Sequence, residues 1–180
     1  MQQQVTLEPG QSQQVSFGII PQASGLYSVV LDGLQGSFMV NGGQGQWKSP
    51  DDYSDVDEKW YFEELAYDGN INTEAWTMTP GAWLWLILFT SGSEPPPVSK
   101  VRVYCGTEVG NIYQDADIAV RVFDDDECNY VDVFSGLVPK LQWVELALDK
   151  IRHVYDIDIS WNSIPSGGSG CLFELQYWEV

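Results

Sequence analysis

Apolar residues recur at alternate positions along most of this 180-residue chain, and that period admits strands and little else. In residues 98–104, Val101 and Val103 fall on one face while Lys100, Arg102 and Tyr104 fall on the other. Val15, Phe17 and Ile19 share a face in residues 14–20. Residues 26–31, 37–40, 118–123, 130–134, 143–148, 155–161 and 172–180 read as further strands, and residues 82–89 as a strand buried on both faces. Turn residues punctuate them: Glu8-Pro9-Gly10-Gln11, Asp32-Gly33, the proline-rich stretch 91–97, and the acidic run 124–127. Residues 60–67 are the exception, because Phe62-Glu63-Glu64-Leu65-Ala66 favours a short helix locally. About eight strands at regular spacing in the longer, second part predict an all-β sandwich or jelly roll. Asn41-Gly42-Gly43-Gln44-Gly45 has the composition of a flexible linker, so a boundary is expected there, between residues 1–41 and residues 46–180.

Composition narrows the classes of function. At 44% hydrophobic residues the chain can build a core, which argues against global disorder. Its longest apolar run, residues 83–89, is strand length, and no membrane insertion is expected. Eight Lys and Arg against 26 Asp and Glu give a net charge of −18, which repels phosphates and argues against nucleic acid or anionic membrane as a partner. Such acidity serves solubility, or a subset of the carboxylates binds a cation. Met1-Gln2-Gln3-Gln4 has neither the basic nor the apolar region of a secretory signal. Either the protein stays inside the cell, or this chain belongs to a longer protein or a phage particle; the expectation carried forward is a cell-surface or extracellular setting within a larger protein.

Three cysteines, Cys105, Cys128 and Cys171, are too few for a disulfide scaffold and are expected to be mostly buried free thiols, with at most one bridge. No Cys-x-x-Cys pair exists and His153 is the single histidine, which argues against a structural zinc site. There is no nucleophile elbow, phosphate-cradling loop or zinc-protease helix. The chain is expected not to be an enzyme.

One short stretch carries chemistry of its own. In Ala66-Tyr67-Asp68-Gly69-Asn70-Ile71-Asn72-Thr73-Glu74-Ala75-Trp76, an Asp-Gly-Asn turn is followed by a hydroxyl and then an aromatic. Such a turn gathers carboxylate, carbonyl and hydroxyl oxygens at one spot, as a hard cation such as Ca²⁺ requires.

Residues 46–180 resemble the discoidin-like, or galactose-binding-like, jelly-roll β-sandwich. The resemblance rests on Ala66-Tyr67-Asp68-Gly69-Asn70-Ile71-Asn72-Thr73, on Val98-Ser99-Lys100-Val101-Arg102-Val103, on Trp143-Val144-Glu145-Leu146, and on the closing Leu172-Phe173-Glu174-Leu175-Gln176-Tyr177-Trp178-Glu179-Val180. One departure is the two-residue gap between Thr73 and Trp76, where the family usually has one. The resemblance implies a structural Ca²⁺ held by Asp68, Asn70, Thr73 and Glu174; the plain alternative is that Asp68 closes a turn and Glu174 faces water. It also implies ligand binding, to a glycan or another surface ligand, through loops at one end of the sandwich. Aromatic faces suit the apolar side of a pyranose. Trp47, Tyr53, Trp60 and Trp161, with Arg121 and Asp125, are the candidate ligand residues, whereas Trp76, Trp83, Trp85, Trp143 and Trp178 lie within or beside strand patterns and are expected in the core. The competing reading is a purely structural or assembly module without a small ligand.

The first 41 residues resemble the C-terminal half of an immunoglobulin-like adhesion domain of the CARDB type. The matching pieces are Leu7-Glu8-Pro9-Gly10-Gln11-Ser12, the strand Val15-Ser16-Phe17, and Gly25-Leu26-Tyr27-Ser28-Val29-Val30-Leu31-Asp32-Gly33-Leu34-Gln35-Gly36-Ser37-Phe38. A four-strand partial sandwich with the front half missing leaves open edges. It is therefore expected to pack on the following domain or to pair with a second copy of the chain as a homodimer.

Overall fold

The computed structural model describes residues 25–31, 34–40, 45–89 and 94–180, the first two segments through their backbone. Two compact units emerge, Met1–Gly43 and Gln44–Val180. In the first, β1 (Gly25–Leu31) and β2 (Leu34–Val40) pair antiparallel, with Gly25 opposite Val40 and Leu31 opposite Leu34. The expected strand in residues 14–20, and with it the first two of the three immunoglobulin-like pieces, lies outside the described residues.

The second unit is all-β. Its strands are β3 (Gln46–Lys48), β4 (Asp52–Ser54), β5 (Trp60–Tyr61), β6 (Ala75–Thr77), β7 (Leu84–Ile87), β8 (Pro97–Val109), β9 (Ile112–Gln114), β10 (Ala116–Asp124), β11 (Asn129–Val138), β12 (Trp143–Ser163) and β13 (Gly168–Glu179). Every pairing is antiparallel. One sheet runs β12–β8–β13–β6–β5, with β3 on the far end of β13 and β9 beside β8. The other runs β11–β10–β12–β7–β4.

Strand β12 belongs to both sheets. Its first part, Trp143 to His153, pairs with β8; its second part, Val154 to Ser163, pairs with β10. The sequence pattern predicts two strands here. The structure instead runs one strand through residues 148–151, which bulge opposite Ser99 between the Ala147–Lys100 and Arg152–Val98 pairs. A bulge turns the chain from one sheet to the next without breaking it.

The two inner faces make one core. Val98, Val101, Val103, Cys105, Leu172 and Leu175 enter from the first sheet, and Leu84, Leu86, Ile118, Val120, Val122, Ile157, Ile159 and Trp161 from the second. The expected helix over residues 60–67 does not form. Trp60 and Tyr61 pair with Thr77 and Trp76, and only Glu63–Ala66 makes a 3₁₀ turn, entered through Phe62 at φ 59°. Burying the Trp60 indole in the core outweighs a weak local helix preference.

Candidate functional site

The acidic loop is tied to the closing strand. Glu174, on β13, is 1% exposed, and its Oε2 accepts a hydrogen bond from the Gly69 backbone amide at 2.9 Å. Its Oε1 accepts one from the Ser49 hydroxyl at 2.9 Å and a longer one from the Gln176 amide at 3.4 Å. Within the loop, Asp68 Oδ1 accepts from the Asn70 amide at 2.8 Å, and Asn70 Oδ1 from the Asn72 amide at 3.1 Å. Thr73 Oγ1 lies 2.8 Å from both Asp68 Oδ2 and the Asn70 carbonyl. Gly69, at φ 79°, adopts the left-handed conformation that lets the chain reverse there. Glu174 therefore does not face water, while Asp68 does close a turn, as the plain alternative for these residues had it.

The oxygen set fits a hard cation. Burial raises the pKa of Glu174, and Asp68 adds to the effect, while the neutral donors of Ser49, Gly69 and Gln176 oppose it. No cationic side chain forms an ion pair with Glu174 among the described residues. A buried carboxylate beside a second one, with an amide oxygen, a carbonyl and a hydroxyl close by, has the donor chemistry that Ca²⁺ takes.

The expected ligand residues do not converge. Trp60 and Trp161, at 3% and 0% exposure, are core residues and offer no face to solvent. Their ring nitrogens are satisfied inside, Trp60 Nε1 donating to the Ala82 carbonyl at 3.3 Å and Trp161 Nε1 to the Thr107 hydroxyl at 3.2 Å. Tyr53 is half-buried against the core, with its ring 6.5 Å from that of Tyr67. Asp125 is exposed in the β10–β11 turn. That turn is met by cations from β12: Arg152 pairs with Asp124 and Asp149, Lys150 with Glu127 at 2.6 Å, and His153 with Asp126 at 2.8 Å.

Arg121 sits on the outer face of the second sheet. Its guanidinium lies 4.1 Å from the Trp83 ring centroid and 4.0 Å from that of Tyr130, and its Nε donates to Asp158 at 2.8 Å. Asp158 and its neighbour along the strand, Asp156, are 0% and 6% exposed. Each keeps an Oδ1 without a hydrogen-bond partner, as does the Trp85 ring nitrogen. Burial raises the pKa of both acids, and the charge of Asp156 raises that of Asp158 further, while Arg121 opposes the rise at both.

Trp47 belongs to a row on the outer face of the first sheet. Its ring meets Trp178 edge-on, with centroids 5.2 Å apart. Lys100 Nζ lies 4.8 Å from Trp47 and 4.9 Å from Trp178, and Arg102 Cζ lies 4.2 Å from both Trp47 and Trp143. Tyr104 continues the row from Trp143 at 5.6 Å. Lys100 is held by Glu145 at 2.7 Å, and Arg102 by the side-chain oxygen of Gln176 at 3.0 Å. Such cation–aromatic contacts fix long side chains upright on a sheet. Sequence reasoning assigned Trp143 and Trp178 to the core. The alternation of Lys100, Arg102 and Tyr104 against Val101 and Val103 was the signal that this face of β8, and whatever pairs across it, points outward.

No protein-family model matches the sequence, and no curated protein matches it. Solved structures match by fold. The CBM32 of AlyQ in complex with 4,5-unsaturated mannuronic acid superposes with a TM-score of 0.56 at 14% identity, over 73% of this chain and 97% of that one. CBM32-1 from a family 31 glycoside hydrolase of Clostridium perfringens gives 0.56 at 11% identity, over 73% and 97%. Truncated AlyQ with CBM32 and alginate lyase domains gives 0.56 at 14%, over 75% of this chain but 33% of that one. These are carbohydrate-binding module family 32 domains, and at such identities the likeness is one of fold: the discoidin-like β-sandwich.

Proposed function

We propose that the second unit is a non-catalytic module that binds a glycan, working as part of a larger extracellular or cell-surface protein. The observation that carries this reading is the outward row of Trp47, Trp143 and Trp178, spaced by Lys100 and Arg102. Half-exposed indoles on a rigid sheet offer apolar platforms, and the charged heads between them offer hydrogen bonds of fixed direction. Tyr53, Arg121 and Asp125 lie outside this row and are not part of the proposed platform. Catalysis is not part of the reading: His153 pairs with Asp126 on the surface, and Asp156 and Asp158 are sealed beneath Arg121. Affinity electrophoresis of the full chain against a panel of polysaccharides tests it. Retardation by at least one, weakened roughly tenfold in Kd by Trp47→Ala, is expected. Retardation by none would leave a structural or assembly module, the reading favoured by the burial of Trp60 and Trp161.

Asp68, Asn70, Thr73 and Glu174 are, in this reading, the ligands of a structural Ca²⁺ that clamps the loop to β13. Its support is the buried, cation-free carboxylate of Glu174. An ion that binds the folded chain alone raises stability by about 2.7 kcal/mol at a hundredfold excess over Kd. The melting temperature of chelator-treated protein should therefore climb on adding millimolar Ca²⁺, and the climb should vanish in Asp68→Ala. An unchanged midpoint in the parent protein removes the ion from the reading.

The first unit is read as the C-terminal half of an immunoglobulin-like domain that pairs two chains. Support comes from the β1–β2 ribbon, the pairing found among the described residues of this unit, since a two-stranded ribbon is marginal in water and gains from a further partner. Light scattering of the full chain should give a dimer mass; a monomer at all concentrations removes the pairing.

A further inference from the structure

Next to the acidic loop, three side chains from three separate stretches meet. Glu74 precedes β6, Glu108 lies on β8 and Cys171 on β13, and a carboxylate oxygen of each acid and the thiol sulfur all lie within 4.8 Å of one another. Strand register produces the meeting. Cys171 stands opposite Trp76 on one side and Gly106 on the other, while Glu108 stands opposite Ser169 and Tyr113. Alternation along β8 and β13 then sends Glu108 and Cys171 to the same outer face.

The thiol and the acids differ in exposure in a useful way. Cys171 is fully buried; its sulfur lies 3.8 Å from the Ser169 hydroxyl and 3.8 Å from the Ser169 carbonyl, and the Glu74 carboxylate is a further hydrogen-bond partner. Glu74 and Glu108 are half-exposed above it, so the floor is sulfur and the rim is carboxylate. None of the ion pairs among the described residues reaches either acid. The Tyr113 hydroxyl donates to Glu74 Oε2 at 2.9 Å and orients that carboxylate from outside, the support that metal-binding acids commonly receive. A buried sulfur turned toward two carboxylates that no ion pair neutralises lacks one component: a positive ion that accepts soft and hard donors together.

We propose that Glu74, Glu108 and Cys171 bind a borderline divalent cation, Zn²⁺ or its analogue Cd²⁺. One thiolate and two carboxylates supply three donors, with a fourth, tetrahedral position left for water. Ca²⁺ and Mg²⁺ prefer all-oxygen sets, so the thiol separates this site from the neighbouring loop of Asp68, Asn70 and Thr73. Loading releases the thiol proton to solvent and pins the start of β6 to β8 and β13. The sequence criterion that argued against zinc looked for ligands close together in the chain; here they are distant in sequence and adjacent only through the sheet.

The experiment is a Cd²⁺ titration of the full chain carrying Cys128→Ser, which removes the exposed thiol, in millimolar Ca²⁺ so that the oxygen site is already served. The readout is the ultraviolet thiolate-to-cadmium charge-transfer band. The expected result is a band that saturates at one ion per chain, is competed by Zn²⁺, persists in Cys105→Ala and is lost in Cys171→Ser. Glu108→Gln, at a half-exposed position that leaves folding intact, should weaken the titration by roughly tenfold or more. Absence of the band, its survival in Cys171→Ser, or an unaltered titration in Glu108→Gln overturns the site. The result is independent of glycan or Ca²⁺ binding, which have their own tests above.

Discussion

Trp60 and Trp161 meet edge to face in the middle of the core, ring centroids 5.6 Å apart and planes at 64°. The contact anchors β5, which has two residues and could not hold its place by ladder bonds alone. With Trp161 fully buried, Trp161→Ala should cost about 3–5 kcal/mol, read from urea denaturation. Trp47→Ala, on the outer face, should cost about 1 kcal/mol or less. Equal costs at the two positions would contradict this division into core and surface.

Gly170 is the floor on which Trp161 rests. A Cβ at that position would lie 2.5 Å from Cδ2 and 2.7 Å from Cγ of the indole. Both groups are boxed in by strands, so neither can swing away cheaply. Gly170→Ala should therefore destabilise by about 1–3 kcal/mol through overpacking. Near-ultraviolet circular dichroism of the variant should change as the indole shifts. An unchanged spectrum and denaturation midpoint would show that the ring has room.

Asp156 and Asp158 make stability depend on pH in an unusual direction. Burial raises both pKa values in the folded state, and at Asp158 the neighbouring Asp156 adds to the rise. An acid with a raised folded pKa keeps its proton longer when folded than when unfolded. Stability contributed in this way is present below the unfolded value of about 4 and falls as pH rises above it. The urea midpoint should drop between about pH 5 and about pH 8, and Asp156→Asn should flatten the drop and add about 1 kcal/mol at neutral pH. A midpoint difference between the two proteins that does not grow with pH would rule the mechanism out.

Arg121 is the single cation of that cluster, with its side chain 23% exposed over a fully buried Asp158. Arg121→Ala should cost about 1–3 kcal/mol, the range for a buried group that loses its hydrogen-bond partner, because Asp158 can keep its proton. Lysine should not restore it, because the flat guanidinium fills the gap between Trp83 and Tyr130 and an ammonium does not. Full stability in Arg121→Lys would mean that charge alone matters there.

The legible parts of this fold were those written in a strict period of two. Val101 and Val103 do face the core, with Lys100, Arg102 and Tyr104 outside. The same rule, applied to Trp83 and Trp85 against Leu84, Leu86 and Leu88, would have sent both indoles outward, where they are. Aromatic size suggested burial and was the poorer guide. Trp161 shares the parity of Ile157 and Ile159, so its burial was also open to reading, whereas Tyr155 escapes that parity through the register shift between Val122 and Asp124 on β10. The Asp68–Thr73 loop was legible because its turn chemistry is local. What could not be read were meetings set by register between distant strands: Ser49 with Glu174, Arg102 with Trp47, and Glu74 with Cys171.

The passage of β12 through both sheets bears on how the domain comes apart. A sandwich of separate sheets can lose one layer while the other persists. Here the same backbone supplies a central strand to each layer, so peeling β10 or β8 away unpairs a segment covalently continuous with the other sheet. The amides of Val101, Val103, Ile157 and Ile159 should exchange with deuterium in one concerted opening rather than in two steps. Proteases would then find no half-open form to cut, and the residence time of the folded state would be set by one barrier for the whole sandwich.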